Sequence, residues 1–247
     1  MRRLLPEPAE LDDAGLVEAY RLPEGRSLRV NFVASLDGAV TVEERSAGLG
    51  SPGDKRVFRL LRALADVVLV GHGTAATEDY RPVLPDSAVG RLRAALGRPP
   101  GMPVAVVSRR ASPDPASRLV AAAQTPTILV TCAAADPGRR ARLADAGVDV
   151  LVCGDDDVDL PAALAALADR GLEQVVCEGG PQLFRAALRA GVVDDLALSL
   201  SPVLVGADGA RLLGEELADR IPLRLRQVLE EDGLLFTRYG VGDSQSH

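Results

Sequence analysis

The feature that most constrains this chain is a regular alternation of two kinds of segment. Short, β-branched apolar runs at 28–34, 66–70, 103–107, 127–131, 148–152, 173–177 and 196–200 are often bounded by Gly, Pro or Asp, the pattern of buried strands. Between most of them, segments 54–64, 86–96, 137–145, 160–170 and 181–190 carry apolar residues at helical spacing. Asp54, Asp86, Asp136 and Asp159 stand at or near the starts of four of these segments, where a carboxylate can accept from first-turn N–H groups. Strands that alternate with helices pair mostly in parallel and are covered on both faces. The pattern breaks near the end, where 223–230 and 234–239 flank Glu231-Asp232-Gly233 and read as an antiparallel hairpin closing the sheet. The expected organisation is one large domain over 28–241, an N-terminal extension over 1–27 and a tail over 242–247. About the first twenty residues and the last half-dozen read as dispensable or loosely ordered.

Composition narrows the function. With 47% hydrophobic residues, only 3% aromatic and no Trp, the core must be packed from Val, Leu and Ala, and stacking platforms for single-stranded nucleic acid are not expected. The formal net charge of -7 and the scatter of Arg along the helical segments argue against a phosphate-tracking surface, so no nucleic-acid partner is expected. Cys132, Cys153 and Cys177 lie in or beside apolar runs without C-x-x-C spacing, which suits buried small hydrophobes better than zinc or disulfides. His72 and His247 are the only histidines, so neither a Ser-His-Asp triad nor a histidine metal centre is expected, and no metal is assigned. No stretch has the length of a membrane span and the start lacks an apolar signal region, which points to a cytoplasmic protein without a membrane partner.

Four constellations could carry chemistry. Gly71-His72-Gly73-Thr74 follows the strand run ADVVLVG, where glycines let a backbone approach a ligand at the strand C-termini; a plain structural turn reads equally well. Glu178-Gly179-Gly180-Pro181-Gln182-Leu183 joins a strand to a helix. Proline suits the first helical turn, and the free N–H groups beside it suit a phosphate anion, with a tight connection as the alternative. Ser108-Arg109-Arg110 offers a hydroxyl and two cations that could hold a 2′-phosphate, or could simply be solvated. The carboxylates Asp37, Glu78 and Asp79 follow strands, and a carboxylic acid in a dry crevice can hand over a proton at neutral pH; Asp37-Gly38 reads equally as a turn. The polar, glycine-bearing loop from Val40 to Asp54 reads as a lid over a site or as a solvated connector.

In order along the chain, Asn31-Phe32-Val33-Ala34-Ser35-Leu36-Asp37-Gly38, the run Arg62 to Thr74, Glu178-Gly179-Gly180-Pro181, and Val193-Asp194-Asp195 with Ser201-Pro202-Val203-Leu204-Val205-Gly206 resemble the reductase domain of bacterial riboflavin biosynthesis proteins. The resemblance implies a three-layer, dihydrofolate-reductase-like α/β fold with NADPH as cofactor. It also implies reduction of 5-amino-6-(5-phosphoribosylamino)uracil to the ribitylamino product, usually by a homodimer. It places Ala34 beside the nicotinamide, and Gly71, Gly73 and Thr74 on the cofactor phosphates and ribose. Ser108 falls near the 2′-phosphate, and Glu178, Gly179, Gly180, Pro181, Gln182 and Leu183 on the pyrophosphate. Asn31, Ser35, Asp37 and Arg81 fall to the substrate, and Asp79 becomes the first choice for engaging the pyrimidine or relaying a proton. Where the family commonly reads Asp-Asp-Pro and then a phosphate-gripping arginine, this chain has Glu78-Asp79-Tyr80-Arg81-Pro82, so that contact passes to Arg81 or is lost. The H-x-E and P-C-x-x-C pattern of a zinc deaminase is absent from the sequence. A pterin or dihydrofolate reductase, and a non-catalytic NADPH-binding regulator, are the alternative readings. A conventional Rossmann dehydrogenase would need a three-glycine fingerprint that is not present.

Overall fold

The computed structural model describes residues 1–43, 45–214 and 220–242. The expected tail therefore lies outside the described residues apart from its first residue, Gly242. Eleven strands form one sheet: β1 (Arg2–Leu5), β2 (Ala9–Glu10), β3 (Ser27–Ser35), β4 (Val67–Gly71), β5 (Val104–Val107), β6 (Ile128–Thr131), β7 (Asp149–Val152), β8 (Gln174–Cys177), β9 (Asp195–Ser201), β10 (Leu223–Glu231) and β11 (Leu234–Val241). Their spatial order is β2-β1-β10-β11-β9-β3-β8-β4-β5-β6-β7. From β9 through β7 every neighbouring pair is parallel. At the other edge β11, β10, β1 and β2 add antiparallel pairs. The β10–β11 connection has Asp232 and Gly233 both at positive φ, 52° and 83°, the geometry of a two-residue hairpin turn that twists with its strands.

Eight α-helices are described: α1 (Asp13–Tyr20), α2 (Pro52–Leu64), α3 (His72–Thr77), α4 (Ala88–Ala95), α5 (Arg118–Ala121), α6 (Pro137–Asp145), α7 (Leu160–Ala168) and α8 (Pro181–Arg189), with short 3-10 turns at Ser46–Gly48 and Gly206–Asp208. Asp136 and Asp159 cap α6 and α7 as expected, accepting from Arg139 and Ala162 N–H. For α2 and α4 the caps are instead Ser51 and Ser87, whose hydroxyls accept from Asp54 and Gly90 N–H. Ser51 lies three residues upstream of the expected Asp54 and Ser87 one residue downstream of the expected Asp86, and Pro52 suits the first turn of α2 better than its interior. Leu160, Ala163 and Leu167 of α7 and Leu183, Phe184 and Ala187 of α8 pack on one face of the sheet. Leu16 and Tyr20 of α1 and Val57, Leu60 and Leu61 of α2 pack on the other. The sheet is thus the middle of three layers, with its central strands buried on both sides.

The first twenty residues depart from the expectation of looseness. β1 pairs with β10, while Leu16 and Tyr20 are each only 1% exposed. A four-residue strand and one short helix are too brief for periodicity to declare; what holds them is tertiary. Arg29 donates to Asp195 (2.6 Å) and to the Tyr20 carbonyl (2.6 Å). Arg238 donates to the other Asp195 oxygen (2.8 Å) and to the Ala19 carbonyl (2.9 Å). One buried carboxylate therefore accepts from two guanidinium groups and joins β3, β9 and β11 to the end of α1. Burial draws the Arg29 pKa below its ordinary value, against the pull of Asp195. Asp195→Asn leaves two buried cations without a counter-charge, and should lower unfolding stability by about 3 kcal/mol or more in urea denaturation followed by circular dichroism. A loss under about 1 kcal/mol would contradict this account of how α1 is held.

Candidate active site

The parallel strands end together, and a cleft of about 1220 Å³ opens at their C-terminal edge. Ligand sites in open α/β sheets belong at this edge, because the strand-to-helix loops there leave backbone groups outside the ladder. One wall is the turn after β8. Gly71 N–H donates to the Gly179 carbonyl (2.7 Å), and Glu178 N–H to Leu69 (2.9 Å), so the ends of β4 and β8 are tied together. Gly179 has φ +82°, and a Cβ there would stand 2.6 Å from the Phe32 ring. At Gly180 a Cβ would collide with the Thr74 hydroxyl. The Gly179–Gly180 peptide is cis. Gly180 caps α8 without a side chain, and Pro181 opens the helix, so the first-turn N–H groups of Gln182 and Leu183 have no helix carbonyl to reach. With Gly71 and Gly73 opposite, this is a side-chain-free cradle suited to an anion.

Farther along the cleft, Ser108, Arg109, Arg110 and Ser112 line the end of β5. The Ser108 hydroxyl accepts from Ser112 N–H (3.0 Å), which folds this segment into a compact turn. Asn31, Thr74, Asp79, Arg81 and Pro181 also line the cleft. Asp79 sits at φ +47°, its side chain 57% exposed, with Arg118 at 3.2 Å and Arg81 at 3.4 Å. That exposure is not the dry crevice expected of a proton donor. Glu78 accepts from Ser46 N–H (2.8 Å), and Val40, Thr41 and Ser46 line the cleft, so the loop from Val40 onward borders the site; Glu44 lies outside the described residues.

Four expected residues do not line the cleft. Ala34 is a core residue, 2% exposed. Gly179 lies behind the turn, against Phe32. Ser35 and Asp37 instead build a loop anchor: the Ser35 hydroxyl donates to Asp37 (2.6 Å) and accepts from Ala39 N–H (2.9 Å), while Asp37 accepts from Val205 and Gly206 N–H at 3.1 and 2.8 Å. The Ser35 hydroxyl and then those two N–H groups hold the Asp37 carboxyl well below the usual carboxylate range. With its lone pairs spent on the chain, Asp37 serves the turn reading rather than the substrate.

The side chain of Glu178 also departs from its expected place on a pyrophosphate. Arg62 Nε and Nη2 each donate to it at 2.7 Å, and the Tyr80 hydroxyl donates to the same carboxylate at 2.7 Å. The Arg62 guanidinium lies 4.4 Å from the Phe58 ring centroid and 5.3 Å from that of Tyr80. Burial alone would lower the Arg62 pKa, but the Glu178 charge and hydrogen bonds raise it above its ordinary value. Burial, then Glu178, pushes Tyr80 far up, so the phenol stays protonated. Arg62, Tyr80 and the cleft-lining Arg211 were missed because an arginine on a helix face, or a tyrosine in a polar loop, carries no periodic signal. Among the described residues no group of three or more His, Cys, Asp and Glu side chains could hold a metal, and no helix is long and apolar enough to cross a membrane.

The family model of the RibD C-terminal domain matches residues 26–232. The chain belongs to the RibD C-terminal domain family. Its relatives include the 2,5-diamino-6-ribosylamino-4(3H)-pyrimidinone 5′-phosphate reductase of Methanothermobacter thermautotrophicus, 32% identical over 210 residues that span 82% of this chain and 93% of the relative. The protein of the same name from Archaeoglobus fulgidus is 30% identical over 179 residues, 72% of this chain and 80% of its own. Among solved structures, a pyrimidine reductase-like protein from Corynebacterium diphtheriae superposes with a TM-score of 0.78 at 29% identity, covering 87% of this chain and 92% of that one. A riboflavin biosynthesis reductase from Saccharomyces cerevisiae, 16% identical with a TM-score of 0.66 over 92% of this chain and 95% of that one, shares the fold. The RibD C-terminal domain fold is thus the dihydrofolate-reductase-like arrangement expected from the motifs.

Two outcomes follow from the cleft. A methyl at Gly180 would displace Thr74, so if the cradle holds a nicotinamide dinucleotide, Gly180→Ala should weaken its binding at least tenfold in fluorescence titration; adding Thr74→Ala should recover part of the loss, and no recovery would exclude the steric cause. His72 lines the cleft, and burial lowers its pKa below the ordinary 6.5. A histidine that holds fewer protons when folded costs the folded state stability as pH falls below its unfolded pKa, and contributes no pH dependence well above it. His72→Gln should therefore flatten the decline in Tm between about pH 6.5 and 5. An unchanged slope would assign that decline to other groups.

Proposed function

We propose that this chain is an NADPH-dependent reductase acting on a 5′-phosphorylated ribosylaminopyrimidine of riboflavin biosynthesis. The observation that carries the reading is the open start of α8 beside the Gly71–Thr74 turn, with Ser108–Arg110 farther along the same cleft. Two anion-suited places in one groove, in a member of a family whose relatives are named as reductases, favour a dinucleotide with an additional 2′-phosphate. Gly71, Gly73, Thr74 and the backbone of 180–183 would hold its phosphates and ribose, and Ser108 with Arg109 its 2′-phosphate. When bound, such a cofactor supplies a hydride.

The chain's own part is alignment. Arg81 is the proposed grip on the substrate phosphate, and Asn31 and Asp79 are the proposed polar contacts to the pyrimidine. Reduction of the ring-opened ribosyl imine adds hydride at C1′ and a proton at nitrogen, giving the ribitylamino group. Asp79 is exposed, so its proposed part is to orient the pyrimidine and to lead a proton in from water. The resemblance also supports a homodimer, and the cytoplasm is the proposed place of work.

The uracil expected from the sequence carries an oxo group at ring position 2, where the compound in the relatives' name carries an amino group. Both have the ribosylamino phosphate at which the reduction occurs. NADPH oxidation with each pyrimidine phosphate, and with dihydrofolate, as sole acceptor tests the proposal. Turnover with either pyrimidine is the expected result, and Asp79→Asn should then raise the pyrimidine KM by about tenfold. Turnover with dihydrofolate alone, or with none of the three, would overturn it.

A further inference from the structure

The Glu178 carboxylate is where three separately encoded pieces of the site meet. Arg62 comes from α2, Tyr80 from the segment that follows α3, and Glu178 from the end of β8, one residue before the glycine turn. All three line the cleft. Glu178 is 8% exposed, and the Arg62–Glu178 pair has side-chain exposures of 13% and 3%, so these bonds lie where water competes poorly.

Tyr80 is placed there by the local winding of its chain. Glu78 N–H donates to Thr74 (2.9 Å) and Tyr80 N–H to Ala75 (2.9 Å), while Asp79 takes a positive φ between them. The result turns the Tyr80 ring inward, against the core that includes Val83 and Val89, and leaves its neighbours outward: Asp79 is 57% and Arg81 66% exposed at the side chain. The two proposed substrate contacts therefore flank the one inward anchor of their segment. On the other side of the bond, Glu178 leads directly into Gly179, whose carbonyl accepts from Gly71, and into the Gly180 cap of α8. The Tyr80 hydroxyl thus connects the proposed substrate-facing segment 78–81 directly to the proposed cofactor-facing turn 178–183.

We propose that Tyr80 is a positioning residue that couples the two halves of the site, so that filling the dinucleotide cradle tightens binding of the pyrimidine phosphate and the reverse. The inference rests on the reductase reading above. Its physical basis is that the two-point Arg62–Glu178 bond remains when the Tyr80 hydroxyl is removed, so the cofactor turn keeps its place while segment 78–81 loses its direct hydrogen bond to it. Binding coupling is reciprocal, so the same factor must appear from either ligand.

Tyr80→Phe removes the hydroxyl and keeps the ring. The measurement is calorimetric affinity for the ribitylamino product phosphate, with and without saturating NADP+, in the wild-type chain and the variant. In the wild type, NADP+ should tighten product binding by about fivefold or more; in Tyr80→Phe that ratio should fall to about one, and so should the reciprocal ratio for NADP+. Hydrogen exchange provides a readout that needs no pyrimidine: NADP+ should slow exchange in 75–82 of the wild type and leave that segment unchanged in the variant, with 180–184 slowed in both. A merely structural tyrosine would lower affinity for both ligands without changing their ratio. A preserved ratio in Tyr80→Phe, or a wild-type ratio of one with both ligands bound, overturns the coupling; failure of the wild type to bind either ligand would instead count against the reductase reading on which the coupling rests.

Discussion

The parallel register of the sheet is the constraint on which everything else in this protein depends. Gly71 pairs beside Val107, Leu69 beside Cys177, and Val30 also beside Cys177, so β3, β8, β4 and β5 deliver their following residues to one edge. A parallel sheet must return each strand through a crossover on its face, which buries the strands from both sides and leaves only the turns free to take on chemistry. Residues 71–74, 108–112 and 178–183 are such turns, remote in sequence and adjacent in space. Register makes them one site.

Two buried carboxylates hold guanidinium partners at opposite ends of strands β9 and β8, which flank β3. Asp195, at the start of β9, takes Arg29 and Arg238 and fastens the end of α1 to the sheet. Glu178, just past the end of β8, takes Arg62 and Tyr80 and fastens α2 and segment 78–81 to the cleft. In both places burial of the carboxylate is compensated by bidentate or paired guanidinium donors, the condition under which a buried ion survives. The first network serves stability. The second lies at the wall of the cleft and links the segments proposed to hold the pyrimidine and the dinucleotide.

The strands of the parallel region were legible because each is a continuous apolar run, and the hairpin because Asp232-Gly233 is a strong turn signal. β1 and α1 were not, since their stability comes from pairing with β10 and from Arg29 and Arg238, contacts more than two hundred residues distant in some cases. At the site the glycine turns could be read from composition, because only glycine tolerates Phe32 and Thr74 so close. Which way a carboxylate points could not. Asp37 and Glu178 both have the spacing of ligand residues, yet the one folds back on Val205 and Gly206 and the other on Arg62. Local sequence sets the position of these oxygens, and partners from remote segments set their occupancy.

The proposed function puts a phosphorylated dinucleotide across the strand ends, with its diphosphate at the start of α8 and its 2′-phosphate beside Ser108, Arg109 and Arg110. A crystal structure of the chain with NADP+ tests this most directly. The account predicts diphosphate oxygens within hydrogen-bond distance of the Gln182 and Leu183 N–H groups, and the 2′-phosphate at the Ser108–Arg110 turn. A dinucleotide bound away from α8, or one reversed so that its 2′-phosphate meets Arg211, would contradict it.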